Sequence, residues 1–256
     1  MKTHAIVTTS LRHSFLAGAF LGLTTMASHA AVVTWGAPTG ITGDSDVSTT
    51  GTLVGAFNIG GPGVANTTVN GTTFTGLALT GNNVTSGNFN LAIATAFQNS
   101  NSFGSGSAPF SSLSAPYQAL LSSAGGDGNT PFTLTMSGLV TGQTYQFEWW
   151  SNNSSVALST STTATAGNTV SVLQNTTATF GGVGQFVIGA FIADATTQQV
   201  ITFGATSSDV LDGFQLRNLS PTAAVPEPGS ALAGLLALGV CLSGLAGRSR
   251  RQTAAA

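Results

Sequence analysis

Charge is scarce in this 256-residue chain, with six basic and eight acidic side chains, about a twentieth of the residues where soluble domains carry about a quarter. Five of the basic residues, Lys2, Arg12, Arg248, Arg250 and Arg251, sit in the terminal tails, which leaves Arg217 alone between them. Nucleic-acid binding needs clustered cations and is excluded. The three histidines, His4, His13 and His29, all precede residue 31, and the single cysteine, Cys241, lies close to the C-terminus. The stretch between therefore has no imidazole, thiol or lysine. That removes Ser-His-Asp, Cys-His and Ser-Lys catalysis, ordinary zinc or copper sites, and structural disulfides. Seven acids remain there: Asp44, Asp46, Asp127, Glu148, Asp194, Asp209 and Asp212.

What is present is apolar material and turn formers, 42% hydrophobic residues and 33 glycines. Residues 1–30 carry Lys2 and Arg12, then an apolar stretch from Phe15 to Leu23, then Ser28-His29-Ala30. A basic start, a short apolar core and small residues three and one before a cut are the layout of a secretory signal peptide, with cleavage between Ala30 and Ala31. The apolar core is about half the length needed to cross a bilayer.

Residues 31–220 read as one all-β extracellular domain, an antiparallel β-sandwich of jelly-roll type. Runs rich in Val, Ile, Thr and aromatics recur between Gly, Asn and Ser clusters, at 31–35, 52–57, 69–79, 88–97, 132–137, 144–151, 169–173, 185–193, 200–203 and 213–219. Their period is two: Phe132, Leu134 and Met136 face one way, Thr133, Thr135 and Ser137 the other. Asn70-Gly71 is a hairpin turn, since both residues tolerate positive φ. Residues 116–121, opening on Pro116, form a short helix. The Ser/Gly tract 100–114 reads as a long mobile loop.

At the C-terminal end Val225-Pro226-Glu227-Pro228 is followed by an uncharged run over 231–247 and then by Arg248-Ser249-Arg250-Arg251. Seventeen residues are at the short limit for a single transmembrane helix, and the arginines act as a membrane stop that holds the end on the cytoplasmic side. This order over residues 221–256 resembles the PEP-CTERM sorting signal of Gram-negative bacteria that make exopolysaccharide. The resemblance implies an inner-membrane intermediate, recognition by an exosortase as partner, and release or transfer to the cell envelope or extracellular matrix. Two phrases, Gly43-Asp44-Ser45-Asp46-Val47-Ser48-Thr49-Thr50-Gly51 and Gly138-Leu139-Val140-Thr141-Gly142-Gln143-Thr144-Tyr145, are similar to jelly-roll domains that often precede such tails.

Three side-chain groups are candidate sites. On the 144–151 strand, alternation sends Tyr145, Phe147 and Trp149 to one face and Gln146, Glu148 and Trp150 to the other. The second set joins an aromatic plane to two hydrogen-bonding side chains, as glycan binding requires. The same set would look alike if Trp150 covered a second layer of the sandwich. Asp44 and Asp46, one residue apart, are candidate calcium ligands, although the full calcium-loop pattern is missing and turn capping explains them as well. Glu148 with Asp194 or Asp212 is the carboxylate pair left for glycoside hydrolysis.

The sequence thus predicts an exported, exosortase-processed protein of the cell surface or exopolysaccharide matrix. It predicts no catalytic residue and no cofactor other than calcium, with action through weak glycan binding or structural assembly. A secreted carboxylate-dependent carbohydrate-active enzyme is the alternative.

Overall fold

The computed structural model describes residues 31–126, 130–204 and 209–220. The expected signal peptide with Ala30, the sorting motif Val225 to Pro228, the apolar run and Arg248, Arg250 and Arg251 lie outside the described residues. Among the described residues no helix is long and apolar enough to cross a membrane.

The strands in chain order are β1 (Thr34–Trp35), β2 (Thr39–Gly40), β3 (Thr52–Gly60), β4 (Thr67–Val69), β5 (Thr72–Ala78), β6 (Asn83–Ser86), β7 (Phe89–Ile93) and β8 (Gln98–Ser100). The helix α1 (Ala115–Leu121) follows, capped by the Ser114 hydroxyl, which accepts from the Tyr117 amide at 3.2 Å. Then come β9 (Ala124–Gly126), β10 (Phe132–Met136), β11 (Thr144–Ser151), β12 (Ser161–Ala166) and β13 (Asn168–Leu173). The last are β14 (Gln185–Ile192), β15 (Gln199–Gly204) and β16 (Gly213–Asn218).

Fourteen of them form a sandwich of two sheets, and β8 and β9 pair with each other in a small separate sheet. The larger runs β1-β14-β11-β16-β3-β5-β4, with β2 also on β14, and the smaller runs β13-β12-β15-β10-β7-β6. The pairing is antiparallel with one departure from expectation, the parallel pair β3–β5. Its cause is local. The turn Asn70-Gly71, with φ of 46° and 75°, folds β5 back on β4, and β5 rather than β4 then lies against β3.

Between the sheets lies an aromatic core. Phe57 meets Phe89 edge-on at 5.0 Å, Phe214 lies 5.7 Å from Phe147, and Trp149 packs edge-on against Phe203 at 5.1 Å. A second apolar cluster sits on the outer face of the larger sheet. There Tyr117, Leu120 and Leu121 of α1, with Ile41 and Val47 of the segment before β3, cover Phe74, Trp150 and Phe186. The tract expected as a mobile loop is packed instead: Phe110 is buried, and the Phe103 amide donates to the Ser122 carbonyl at 2.8 Å.

Candidate functional site

Strand β11 occupies Thr144–Ser151, and its alternation is the expected one. Its second face, however, does not meet solvent. Gln146 is 8% exposed, and Glu148 and Trp150 are 0% exposed. The proposed glycan-binding trio is therefore corrected, because α1 and the 41–48 segment close over it and leave no aromatic plane for a sugar. Trp150 stands edge-on to Phe74 at 5.5 Å and stacks with Phe186 at 6.4 Å. Its indole Nε1 donates to the Tyr117 hydroxyl at 2.9 Å, and that hydroxyl lies 3.2 Å from Asp46 Oδ2, to which it donates. Burial first, and then the Asp46 carboxylate, push the Tyr117 phenol well above its ordinary pKa, so it stays a donor.

Glu148 belongs to a buried chain of polar groups. Its Oε2 accepts from the Ser48 amide at 3.1 Å and from Gln215 Nε2. Gln215 Oε1 in turn accepts from Arg217 Nε at 3.0 Å, so Gln215 links Glu148 to Arg217. The guanidinium also donates to the Thr49 and Gly51 carbonyls at 3.2 and 2.9 Å and to Thr72 Oγ1 at 3.1 Å. Glu148 Oε1 has no hydrogen-bond partner among the described residues. Burial raises Glu148 to about 7, against the pull of the Gln215 and Ser48 hydrogen bonds and the Arg217 charge.

The carboxylate pairs fare differently from what hydrolysis requires. Ile188 of β14 is opposite Glu148, and Asp194 lies beyond Ile192, four residues or about 13 Å farther along the strand. Glycosidase carboxylates stand about 5 to 10 Å apart. Asp212 is nearer but wholly buried. Its Oδ2 accepts from the Asn152 amide at 2.6 Å, and burial raises its pKa well above the carboxylate range. Asp194, by contrast, is held below that range by hydrogen bonds from Thr196. Four described cavities are lined by none of these side chains.

Asp46 caps its own turn, while Asp44 bonds across to the start of α1. Asp46 accepts from the amides of Thr42 and Gly43 at 2.6 and 3.0 Å and from Thr42 Oγ1 at 2.7 Å. Asp44 accepts from Ser114 Oγ at 2.5 Å, which ties the 3₁₀ turn Asp44–Asp46 to the start of α1. Among the described residues no group of three or more His, Cys, Asp or Glu side chains could hold a metal ion.

The accessible features lie elsewhere, where loops 101–113, 152–160 and 174–184 meet at one end of the sandwich. Phe180 is 65% exposed, the one aromatic among the large hydrophobic side chains left open in the described residues. Its loop is tightly braced. The Gly181 amide donates to the Ser154 carbonyl at 2.9 Å, the Phe110 amide to the Gly181 carbonyl at 2.9 Å, and the Gly182 amide to the Thr179 carbonyl at 3.0 Å. Buried Asn175 reaches the Val156 and Thr179 carbonyls through Nδ2 at 3.0 and 2.8 Å. Gly181 has φ of 81° and lies where a Cβ would be 2.6 Å from the Ser107 carbonyl oxygen, so glycine is required. Phe110 also lines an open cleft of about 390 Å³ walled by Asn101, Ser102, Ser105, Gln118 and Ser122. The sequence signal for this end was slight: one Phe between Thr179 and two glycines, in a stretch without strand periodicity.

No protein-family model matches the chain, and no curated protein matches it. Among solved structures, one whose description concerns promiscuous carbohydrate-binding modules of the β-sandwich superfamily shares 12% identity with this chain. It covers 58% of this chain and 71% of its own, with a TM-score of 0.16. A likeness of that size carries no argument.

Proposed function

We propose that this is an exported, exosortase-processed component of the cell surface or exopolysaccharide matrix of a Gram-negative bacterium. Its β domain is a jelly-roll module that works without catalysis, by weak glycan binding or by assembly. The strand order supports the jelly-roll reading: β3-β16-β11-β14 faces β10-β15-β12-β13, and the chain passes between sheets at most connections. The fold is compatible with a cut after Ala30, since Val33, three residues on, is wholly buried and its amide donates to the Ala166 carbonyl at 2.9 Å. A leader cut after Ala30 leaves that contact intact.

The observation that carries the non-catalytic reading is the burial of Glu148, the only glutamate between the tails, in a polar chain that already occupies its Oε2. A general acid must reach its substrate. Glu148 has no route to solvent through the described cavities, and Asp212 is equally enclosed. The sorting half of the proposal rests on the Pro226-Glu227-Pro228 tail.

The test is intact mass and fractionation of the native protein with and without the host's exosortase. Loss of the tail near Val225 to Ser230 only when the enzyme is present is the expected outcome. A full-length chain in the membrane in both strains would overturn exosortase processing.

A further inference from the structure

We infer that the loop end bearing Phe180 is a stacking site for an uncharged glycan, the Phe180 ring covering the C–H face of one sugar and the adjacent cleft receiving hydroxyls. The inference rests on the matrix reading above and gives it a location. A sugar ring presents an apolar face edged by hydroxyls, so its complement is a single aromatic plane with neutral hydrogen-bonding groups beside it. Phe180 supplies the plane, and it precedes Gly181, whose carbonyl holds the amide of Phe110 at the cleft wall. Ser102, Ser105 and the Gln118 Oε1 atom on the cleft wall supply hydroxyls and an amide oxygen, while Asn101, Ser122 and Gln118 Nε2 are held by bonds to the Gly61 amide and to the Pro62, Gln118 and Leu113 carbonyls.

Charge selects the ligand class. Segments 101–113, 152–160 and 174–184 contain no Asp, Glu, Lys, Arg or His, so nothing in them recognises a uronate, sulfate or phosphate. A membrane surface is a poor fit as well. Among the described residues the large apolar side chains exposed at this end are Phe180 and Leu158, with no cation beside them in these segments, whereas interfacial binding uses cations and a continuous apolar face. Bracing matters too, because a ring carried on an already ordered backbone leaves only its own side-chain rotation to be lost on binding.

Position agrees. Strand β11 runs from Thr144, beside the chain exit at Ser220, to Ser151, beside the Phe180 loop. The site therefore stands about 25 Å from the C-terminal exit, directed away from an anchor at that end.

Affinity electrophoresis of the full chain in mild detergent tests this, with dextran, galactomannan and alginate as the immobilised probes. The expected result is retardation by at least one of the two neutral polysaccharides, weakened about tenfold by Phe180→Ala and kept by Phe180→Trp. An unchanged melting temperature will show that Phe180→Ala remains folded. Equal retardation of wild type and Phe180→Ala would overturn the site while leaving glycan binding in place. Retardation by alginate alone overturns it as well, since charge would then be the recognised feature. No retardation of the wild type overturns both the site and the glycan half of the matrix proposal, while exosortase processing stands or falls on the mass measurement.

Discussion

Strand β11 buries side chains on both faces, but the chemistry of the two faces differs. Toward the smaller sheet, Phe147 and Trp149 enter a core of aromatics and aliphatics whose stability rests on volume and contact. The Tyr145 hydroxyl there meets the Val140 amide at 3.0 Å, and Trp149 Nε1 has no partner among the described residues. Toward the outside, Trp150 lies on the same face as Glu148, and bonds link Glu148, Gln215 and Arg217 in one chain and Trp150, Tyr117 and Asp46 in another. The inner face tolerates few changes of shape. The outer face tolerates few changes of hydrogen bonding, and it alone answers to pH.

The largest contrast should come from Trp149→Ala, which leaves a cavity between the sheets and costs about 4 kcal/mol, a large part of an ordinary domain's stability. Denaturant titration checks it, and a loss below about 1 kcal/mol would mean that the layers are not packed as described.

Next in size is the pH response of the outer face. Folded Glu148 titrates at about 7 rather than 4.5, so the folded chain holds a proton that the unfolded chain has released between those values. Stability should therefore fall as pH rises across that window, by about 3 kcal/mol in all. Raised Asp212 pushes in the same direction. Glu148→Gln should remove the Glu148 share of the slope in urea midpoints measured from pH 4.5 to 8 and leave that of Asp212, while Trp149→Phe should leave the whole slope intact. Equal slopes in all three proteins would remove the distinction between the faces.

Smallest is Tyr117→Phe, which takes the acceptor from Trp150 Nε1 and the donor from Asp46 while keeping the ring. A loss of about 1 to 2 kcal/mol is expected, measurable by thermal melting.

How far the sequence revealed these features depended on the range of the interaction. The bounds of β11, the positive φ at Asn70-Gly71 and the start of α1 near Pro116 are local matters, and alternation or turn chemistry displayed them. Strand β12 did not stand out because Ala164 and Ala166 are its inward side chains, and a Thr/Ala alternation has little apolar contrast. The parallel β3–β5 pair depends on where a hairpin docks, which no local pattern encodes. Gln146, Glu148 and Trp150 looked like a binding face because their cover comes from far away in sequence: Ser48 is 100 residues from Glu148. Phe180 was overlooked for the opposite reason. It belongs to no periodic run, and only the folded loops show that it remains outside.

The position of β16 has a mechanical consequence. It lies between β11 and β3, and the chain leaves it at Ser220 after the Leu219 amide bonds the Thr144 carbonyl at 2.8 Å. Tension applied from the C-terminal side would enter along the axis of an interior strand and load the ladders on both flanks in shear. Bonds loaded in that way share the force at once, whereas a peeled edge strand surrenders them one after another. A load applied at Ser220 thus meets resistance from two ladders rather than one.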